Sequence, residues 1–463
     1  MLKREQNFFK EEKDIKEIWR RIKKRDFLGN TGLAVKNSIY EFSRILVEKI
    51  GALIFTMILA RLLMPELFGL YSLALSTIIL FATFSDLGIG TALVMFISRE
   101  LSKRKTNLSI TPIKKISERI EYNPKGYYNY LIKIKFILTF LTSLILILLA
   151  YWISNIYYNK PIFYALLAGG LYLFLNSFIG FFSSLYQSFN NFKKILKKEI
   201  IFQVLRLIVV PLIILLSLNF SEEILFLNII LALSFCYLIA LGVLFIKKPI
   251  LVGKELNKKE KKQVNKFILP LTTIIFSGVL FGYIDMIMLG HFVDSEFIGY
   301  YSAAFALIGS AMVLLEFSTA LFPLFSRLGG KRLERALKKS IKLIIPLSLL
   351  LTFITILLAP LIIKIVYGEQ YSNSILLLRI LTLLIFSGPL TSIYSTYFIS
   401  KGKTKIMAKL LISTTLINII LNYILISILV KQSNFAATIG AVTATIASRF
   451  IYLGSLLIFK KRN

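Results

Sequence analysis

Charged side chains set inside long apolar stretches are the residues of this chain with chemistry to perform. The cations are Arg44, Lys49, Arg206, Arg379 and Arg449, and the acids are Asp86, Asp285 and Glu316. A charge at mid-bilayer costs at least about 2.5–3.5 kcal/mol on insertion scales, so it faces a cavity or a partner. Arginine keeps its charge and grips a phosphate through two parallel N–H bonds. Arg206, Arg379 and Arg449 lie deep enough to need water or an anion. A carboxylate held away from water can titrate or bind a small cation, which makes Asp86, Asp285 and Glu316 candidates for proton or sodium coupling. The plainer alternative is that these acids pair with the three arginines to pack the helices. Glu41, Arg44 and Glu48 are spaced three and four apart on one helix face. They form either an ion-pair ladder or, with Lys49, the cationic mouth of a cavity. Asp86 precedes Leu87-Gly88-Ile89-Gly90, where two glycines weaken the helix and free backbone carbonyls.

Other chemistries lack their residues. Cys236 is the only cysteine and His291 the only histidine, which excludes an intrachain disulfide and any Cys/His zinc pattern. No G-x-x-x-x-G-K-[ST] phosphate loop occurs. Acids between the apolar stretches on the side poor in Lys and Arg are scattered: Glu66, Glu222, Glu223, Asp294, Glu296 and Glu369. The chain is therefore expected not to be an enzyme and to need no metal or cofactor. A membrane-embedded polysaccharide polymerase or glycosyltransferase is a remote alternative.

The elements that must hold these charges are membrane helices. Hydrophobic residues make up 56% of the chain and charged residues only 17%, and the mean hydropathy is +0.74. Average soluble domains hold about 25% charged residues. A crossing helix needs roughly 20 mostly apolar residues. Twelve stretches qualify: 42–63, 68–97, 132–154, 161–189, 199–218, 224–246, 267–290, 297–325, 342–366, 373–399, 408–430 and 436–459. The net charge of +32 alone would suggest nucleic acid, but its placement does not. With the N-terminus cytoplasmic, 47 of the 56 Lys and Arg fall in inner segments and 4 on the outer side, as the positive-inside rule requires. No nucleic-acid partner is expected. Both termini are cytoplasmic in this reading of a multi-pass cell-membrane protein. No cleavable signal peptide is expected. Lys10 to Arg25 has the pattern of a basic helix on an anionic membrane surface or of a short solvated helix with a few apolar contacts, and Lys258, Lys259, Lys261, Lys262 and Lys266 could touch lipid head groups or serve as topology signal alone.

The chain also repeats itself. Ala60-Arg61-Leu62-Leu63-Met64-Pro65-Glu66-Leu67-Phe68-Gly69-Leu70-Tyr71-Ser72-Leu73-Ala74 aligns, at an offset of 230, with the stretch Gly290 to Ala304. Glu66/Glu296, Gly69/Gly299, Tyr71/Tyr301, Ser72/Ser302 and Ala74/Ala304 are identical. Each copy joins the first two helices of a six-helix set. Six is even, so the sets are parallel repeats about an axis normal to the membrane. The expected division is a basic N-terminal segment (1–36), a first lobe (37–246), a basic linker (247–266) and a second lobe (267–463). Two such bundles can rock about a central cavity.

The run Ala60-Arg61-Leu62-Leu63 through Glu66, Gly69 and Tyr71 resembles the signature of Wzx-type polysaccharide-export flippases. Asp285 through Leu289-Gly290 to Gly299-Tyr300-Tyr301 resembles their seventh-helix motif. These flippases belong to the multidrug/oligosaccharidyl-lipid/polysaccharide exporter (MOP) superfamily. The family's Gly-Pro at the turn is Met64-Pro65 here. The resemblance implies an all-α fold of two six-helix bundles around a cavity, and a transporter that flips a lipid-linked oligosaccharide from the inner to the outer leaflet. Basic residues lining the cavity would meet the substrate's phosphates. The implied partners are that lipid, membrane lipids and a proton or sodium gradient, with the protein acting as a monomer. A drug/cation antiporter of the same superfamily is the alternative.

Overall fold

The computed structural model describes residues 29–110, 123–246, 249–313, 315, 325 and 330–461. The basic helix expected over Lys10–Arg25 lies outside these residues. All regular structure described is helical. The first half holds α1 (Gly29–Asp86), α2 (Ile89–Ile110), α3 (Pro124–Tyr151), α4 (Phe163–Ser188), α5 (Phe192–Ser217) and α6 (Glu222–Phe245). The second holds α7 (Lys258–Phe292), α8 (Ser295–Val313), α9 (Gly330–Val366), α10 (Ser374–Leu381), α11 (Leu383–Ser400), α12 (Thr404–Leu429) and α13 (Asn434–Lys461).

Ten helices among the described residues are long and apolar enough to cross a membrane, the first spanning 36–102. That first one holds two crossings. Its helix breaks at Met64 (φ 60°, ψ 170°) just before Pro65, and residues on both sides of the break, Thr56 and Ser76 among them, line one cavity. With α8, which leads into residues outside the description, the count of about twelve agrees with the sequence reading. Local signals set several helix starts. Asn123 and Asn191 cap α3 and α5 through their side chains, and Asn257 with Glu260 forms a capping box on α7.

Apolar side chains gain little by leaving lipid for other apolar side chains, so close backbone approach and polar contacts decide how membrane helices associate. The repeated motif provides both. A Cβ on Gly69 would lie 1.8 Å from the carbonyl oxygen of Ser295, and one on Gly299 would lie 1.9 Å from that of Pro65. Pro65 and Ser295, like Gly69 and Gly299, correspond at the 230-residue offset, so the contact is reciprocal. Only glycine fits either position.

Further bonds join the halves on the same, basic-poor side. Arg61 donates from Nε to the Val366 carbonyl at 2.9 Å and from Nη2 to that of Ile365, satisfying the last carbonyls of α9. Tyr371 donates to the Ala60 carbonyl at 2.9 Å. Lys160 donates to the Val293 carbonyl at 3.0 Å, and the His291 ring lies on Tyr157 with Nδ1 2.6 Å from its carbonyl oxygen. Burial pushes the Lys160 amine below the usual lysine range, while Asp294 opposes that shift.

Toward the basic side the join is different. The backbone breaks at Leu87 (φ 45°) and Gly88 (φ 85°), and the Leu87 carbonyl freed there accepts from Thr272 Oγ1 at 3.0 Å. Val264 of α7 is buried among Ile89, Ala92 and Phe96. The first turns of α7 thus pack on the first half, and its later turns meet both halves, with Gly290 against Leu73 and Tyr158 and Thr445 donating to Asp285.

Candidate functional site

A cavity of about 320 Å³ lies between the halves. Its wall combines α1 (Phe55, Thr56, Tyr71, Ser76), α5 (Arg206), α7 (Gly282, Tyr283, Met286) and α8 (Tyr301, Ser302). Arg206 is the one charged side chain among the described lining residues. Its guanidinium carbon sits 4.3 Å from the Phe55 ring centroid and 5.3 Å from that of Phe202. Nη2 donates to Gln203 Oε1 at 2.6 Å, and Nε is buried without a partner among the described residues. A guanidinium supported by two rings and one neutral amide keeps its full charge for the cavity.

Asp285 forms a second centre. It lies seven residues before α7 ends at Phe292, nearer the basic-poor end than the middle of its span, and it is 2% exposed. Tyr301 donates to Oδ2 at 2.7 Å and Asn422 to Oδ1 at 2.7 Å, and Thr445 also donates to Oδ2. All three donors are neutral. Beside them, both amide atoms of Asn418 and Oδ1 of Asn422 are buried without partners among the described residues. Unmade hydrogen bonds are costly in such surroundings, and these atoms give the cluster spare oxygen ligands. Arg449 stands near, with its guanidinium 3.9 Å from the Phe281 ring centroid and Nη2 3.3 Å from the Phe281 carbonyl. Its charge acts on Asp285 through space.

The remaining sequence candidates lie elsewhere. Arg44 donates to Glu41 at 2.7 and 3.0 Å and to Glu48 at 2.5 Å, and Lys49 lies 3.6 Å from Glu48. Both belong to an ion-pair ladder on α1 and are not among the cavity-lining residues. Arg379 is exposed, and its Nε reaches the Ile356 carbonyl at 3.4 Å. It therefore packs on α9 instead of entering the cavity. Asp86 accepts from Lys135 Nζ at 2.9 Å; the lysine side chain is 1% exposed and the aspartate 40%. Glu316 lies outside the described residues.

Sequence reasoning passed over several site residues. Lys135 and Lys198 fall in the segments counted as inner loops, yet both are buried. Glu199 and Gln203 complete the surroundings of Arg206. Asn418, Asn422, Tyr301 and Thr445 surround Asp285. A polar residue every third or fourth position along the twelfth helix, as in Thr414, Thr415, Asn418 and Asn422, was the available signal.

The profile described as polysaccharide biosynthesis protein matches residues 34–329, well over half of the chain, and the MatE profile matches 270–424. No curated protein matches the chain in sequence. Solved structures share its fold. The lipid II flippase MurJ in an inward closed conformation is similar at 15% identity and a TM-score of 0.66, over 91% of this chain and 87% of that one. An inward-facing multidrug resistance MATE family transporter of the MOP superfamily is similar at 15% identity and 0.58, over 92% and 96%. A MOP superfamily transporter from Pyrococcus furiosus, described by the reverse polarity of its binding pocket, is similar at 15% identity and 0.56, over 92% and 95%. At these identities the likeness is one of fold.

Proposed function

The chain belongs to the polysaccharide biosynthesis protein family, and from that premise we propose that it is a transporter, without enzymatic activity, that carries a lipid-linked oligosaccharide from the inner to the outer leaflet by alternating access. The substrate is a polyprenyl-phosphate-linked polysaccharide precursor. The observation that carries this reading is an arginine with no acid beside it among the described lining residues, in the wall of a cavity between two matched halves. A phosphate-type head group supplies the negative charge that Arg206 lacks. Hydroxyls of Ser72, Ser76, Tyr71 and Ser302 around it suit a sugar. The lipid tail stays in the bilayer. The halves 37–246 and 267–463 rock about the cavity, with the Lys/Arg-rich face cytoplasmic. In the sealed arrangement the two glycine turns close the outer side, and they must part for the head group to leave.

Asp285 is the coupling residue of this reading. A carboxylate surrounded by neutral donors, next to amide oxygens without partners, can accept a proton or hold a sodium ion. Binding there alters how α7, α8, α12 and α13 pack, because one side chain from each meets at the carboxylate.

An organic-cation antiporter is the competing reading, favoured by the MatE profile match over 270–424. The test is reconstitution in liposomes with a fluorescent polyprenyl-diphosphate-linked oligosaccharide, with and without proton or sodium gradients. Time-dependent appearance of the head group in the opposite leaflet is expected. A protein that expels ethidium and leaves the glycolipid unmoved would overturn the proposal in favour of the antiporter.

A further inference from the structure

Arg206 does not stand alone on α5. Lys198 Nζ donates to Glu199 Oε2 at 2.7 Å, Gln203 Nε2 donates to Glu199 Oε1 at 2.8 Å, and Gln203 Oε1 accepts from Arg206 at 2.6 Å. The chain runs cation, carboxylate, amide, cation. Lys198, Glu199 and Gln203 are all buried. Each link fixes the next. Glu199 accepts only, so it turns the amide nitrogen of Gln203 toward itself, and the amide oxygen must then face Arg206. Gly51 on α1 makes room for this. A Cβ there would fall 2.5 Å from Gln203 Oε1 and 2.8 Å from its Cδ.

The order of these groups has an electrostatic consequence. Were Glu199 in direct contact with Arg206, the pair would neutralise itself, and the cavity would lose the one charge among its described lining residues. The neutral amide keeps the carboxylate one side chain away, where Lys198 balances it. It also ties Nη2 to one side of the guanidinium. Nε stays without a partner among the described residues, so that edge is open to an acceptor.

We infer that Lys198, Glu199 and Gln203 form a positioning chain that keeps the Glu199 carboxylate off Arg206 and presents the unpaired Nε edge of Arg206 to a phosphate-type oxyanion. Gln203 is the specificity-determining member, because an amide at this position separates an anion-selecting cavity from a neutral one. This rests on the reading of the cavity as a site for an anionic head group.

The experiment separates the two claims. Binding of farnesyl diphosphate and of farnesol to the purified full-length protein in detergent is measured by thermophoresis, with thermal melting as the fold control. Wild type is expected to prefer the diphosphate, and Arg206→Ala to lose that preference. The decisive variant exchanges two side chains, Glu199→Gln with Gln203→Glu. It leaves net charge unchanged but sets the carboxylate against Arg206. Its preference for the diphosphate is expected to fall by about tenfold or more, the order seen when a buried charge loses the pairing it needs, while farnesol binding stays constant. A merely structural role for the chain would lower both ligands together. Gly51→Ala serves if the exchange fails to fold. It pushes the Gln203 amide aside without altering charge, and a smaller selective loss of diphosphate binding is expected. If the exchange variant, or Gly51→Ala in its place, keeps wild-type preference while Arg206→Ala loses it, the positioning chain is overturned and the anionic site stands. Absence of preference in the wild type overturns both.

Discussion

The two halves share a six-helix plan and use it for opposite charges. The first half turns a guanidinium outward into the cavity, supports it with two rings and an amide, and leaves one edge unpaired. The second half turns a carboxylate inward, away from the cavity, and surrounds it with neutral donors from three other helices. A charge meant for a large polar ligand must reach the cavity wall. A charge meant for a proton or small ion can sit within one lobe, where its state changes helix packing. The halves are alike at one place, the reciprocal contact of Gly69 with Ser295 and of Gly299 with Pro65.

That shared place is where the largest effect is expected. Gly69→Val and Gly299→Val each force a side chain against a backbone oxygen. Overpacking of this kind costs roughly 1–3 kcal/mol, about a five- to 150-fold shift away from the sealed arrangement. Labelling of a single cysteine introduced at Ser72 should rise in both variants alike. A rise in one alone would break the symmetry of the seal.

The next effect divides the halves. Asp285→Asn keeps the shape of the cluster and removes its titratable oxygen. Transport is expected to stop responding to proton and sodium gradients, with the gradient-driven component falling about tenfold. Binding of farnesyl diphosphate at Arg206 should stay unchanged. A full gradient response in Asp285→Asn would remove coupling from the second half.

Lys135→Met sharpens the contrast within the first half. It leaves Asp86 without its partner, but that side chain is 40% exposed and can hydrate. A stability loss of about 1 kcal/mol is expected, read by thermal melting, with head-group binding preserved. A selective loss of binding instead would make this pair part of the substrate site. The smallest effect is expected from Arg379→Ala. An exposed arginine bound to the Ile356 carbonyl should change transport by less than about twofold. A loss as large as that of Arg206→Ala would place a second cation in the transport path.

These contrasts show how far the residue pattern reaches. Apolar run lengths and the one-sided placement of Lys and Arg are averages over many residues, so the crossings and the duplicated plan were legible. The Gly69/Gly299 pair was legible as a repeat, but its meaning as a reciprocal contact needed coordinates. Arg206 stood out because a charge amid apolar residues is conspicuous. Arg379 stood out for the same reason, yet a long side chain can find a helix carbonyl as easily as a cavity. Lys198 and Glu199 sit at the edge of the apolar stretch 199–218 although α5 already begins at Phe192, and an edge uncertain by a turn or two hides whether a charge is solvated or buried. Asn418, Asn422 and Thr445 are neutral, so no burial cost of a charge marks them, and only the three-to-four spacing of Thr414, Thr415, Asn418 and Asn422 shows a shared face.

One measurement bears most directly on the central claim that a cation in the cavity selects an anionic head group for transport. In a single liposome preparation, the diphosphate-linked oligosaccharide lipid competes with an uncharged glycolipid of the same tail, for wild type and for Arg206→Ala. The account expects wild type to move the charged lipid preferentially and Arg206→Ala to lose that preference by about tenfold or more. Equal preference in both proteins would contradict it.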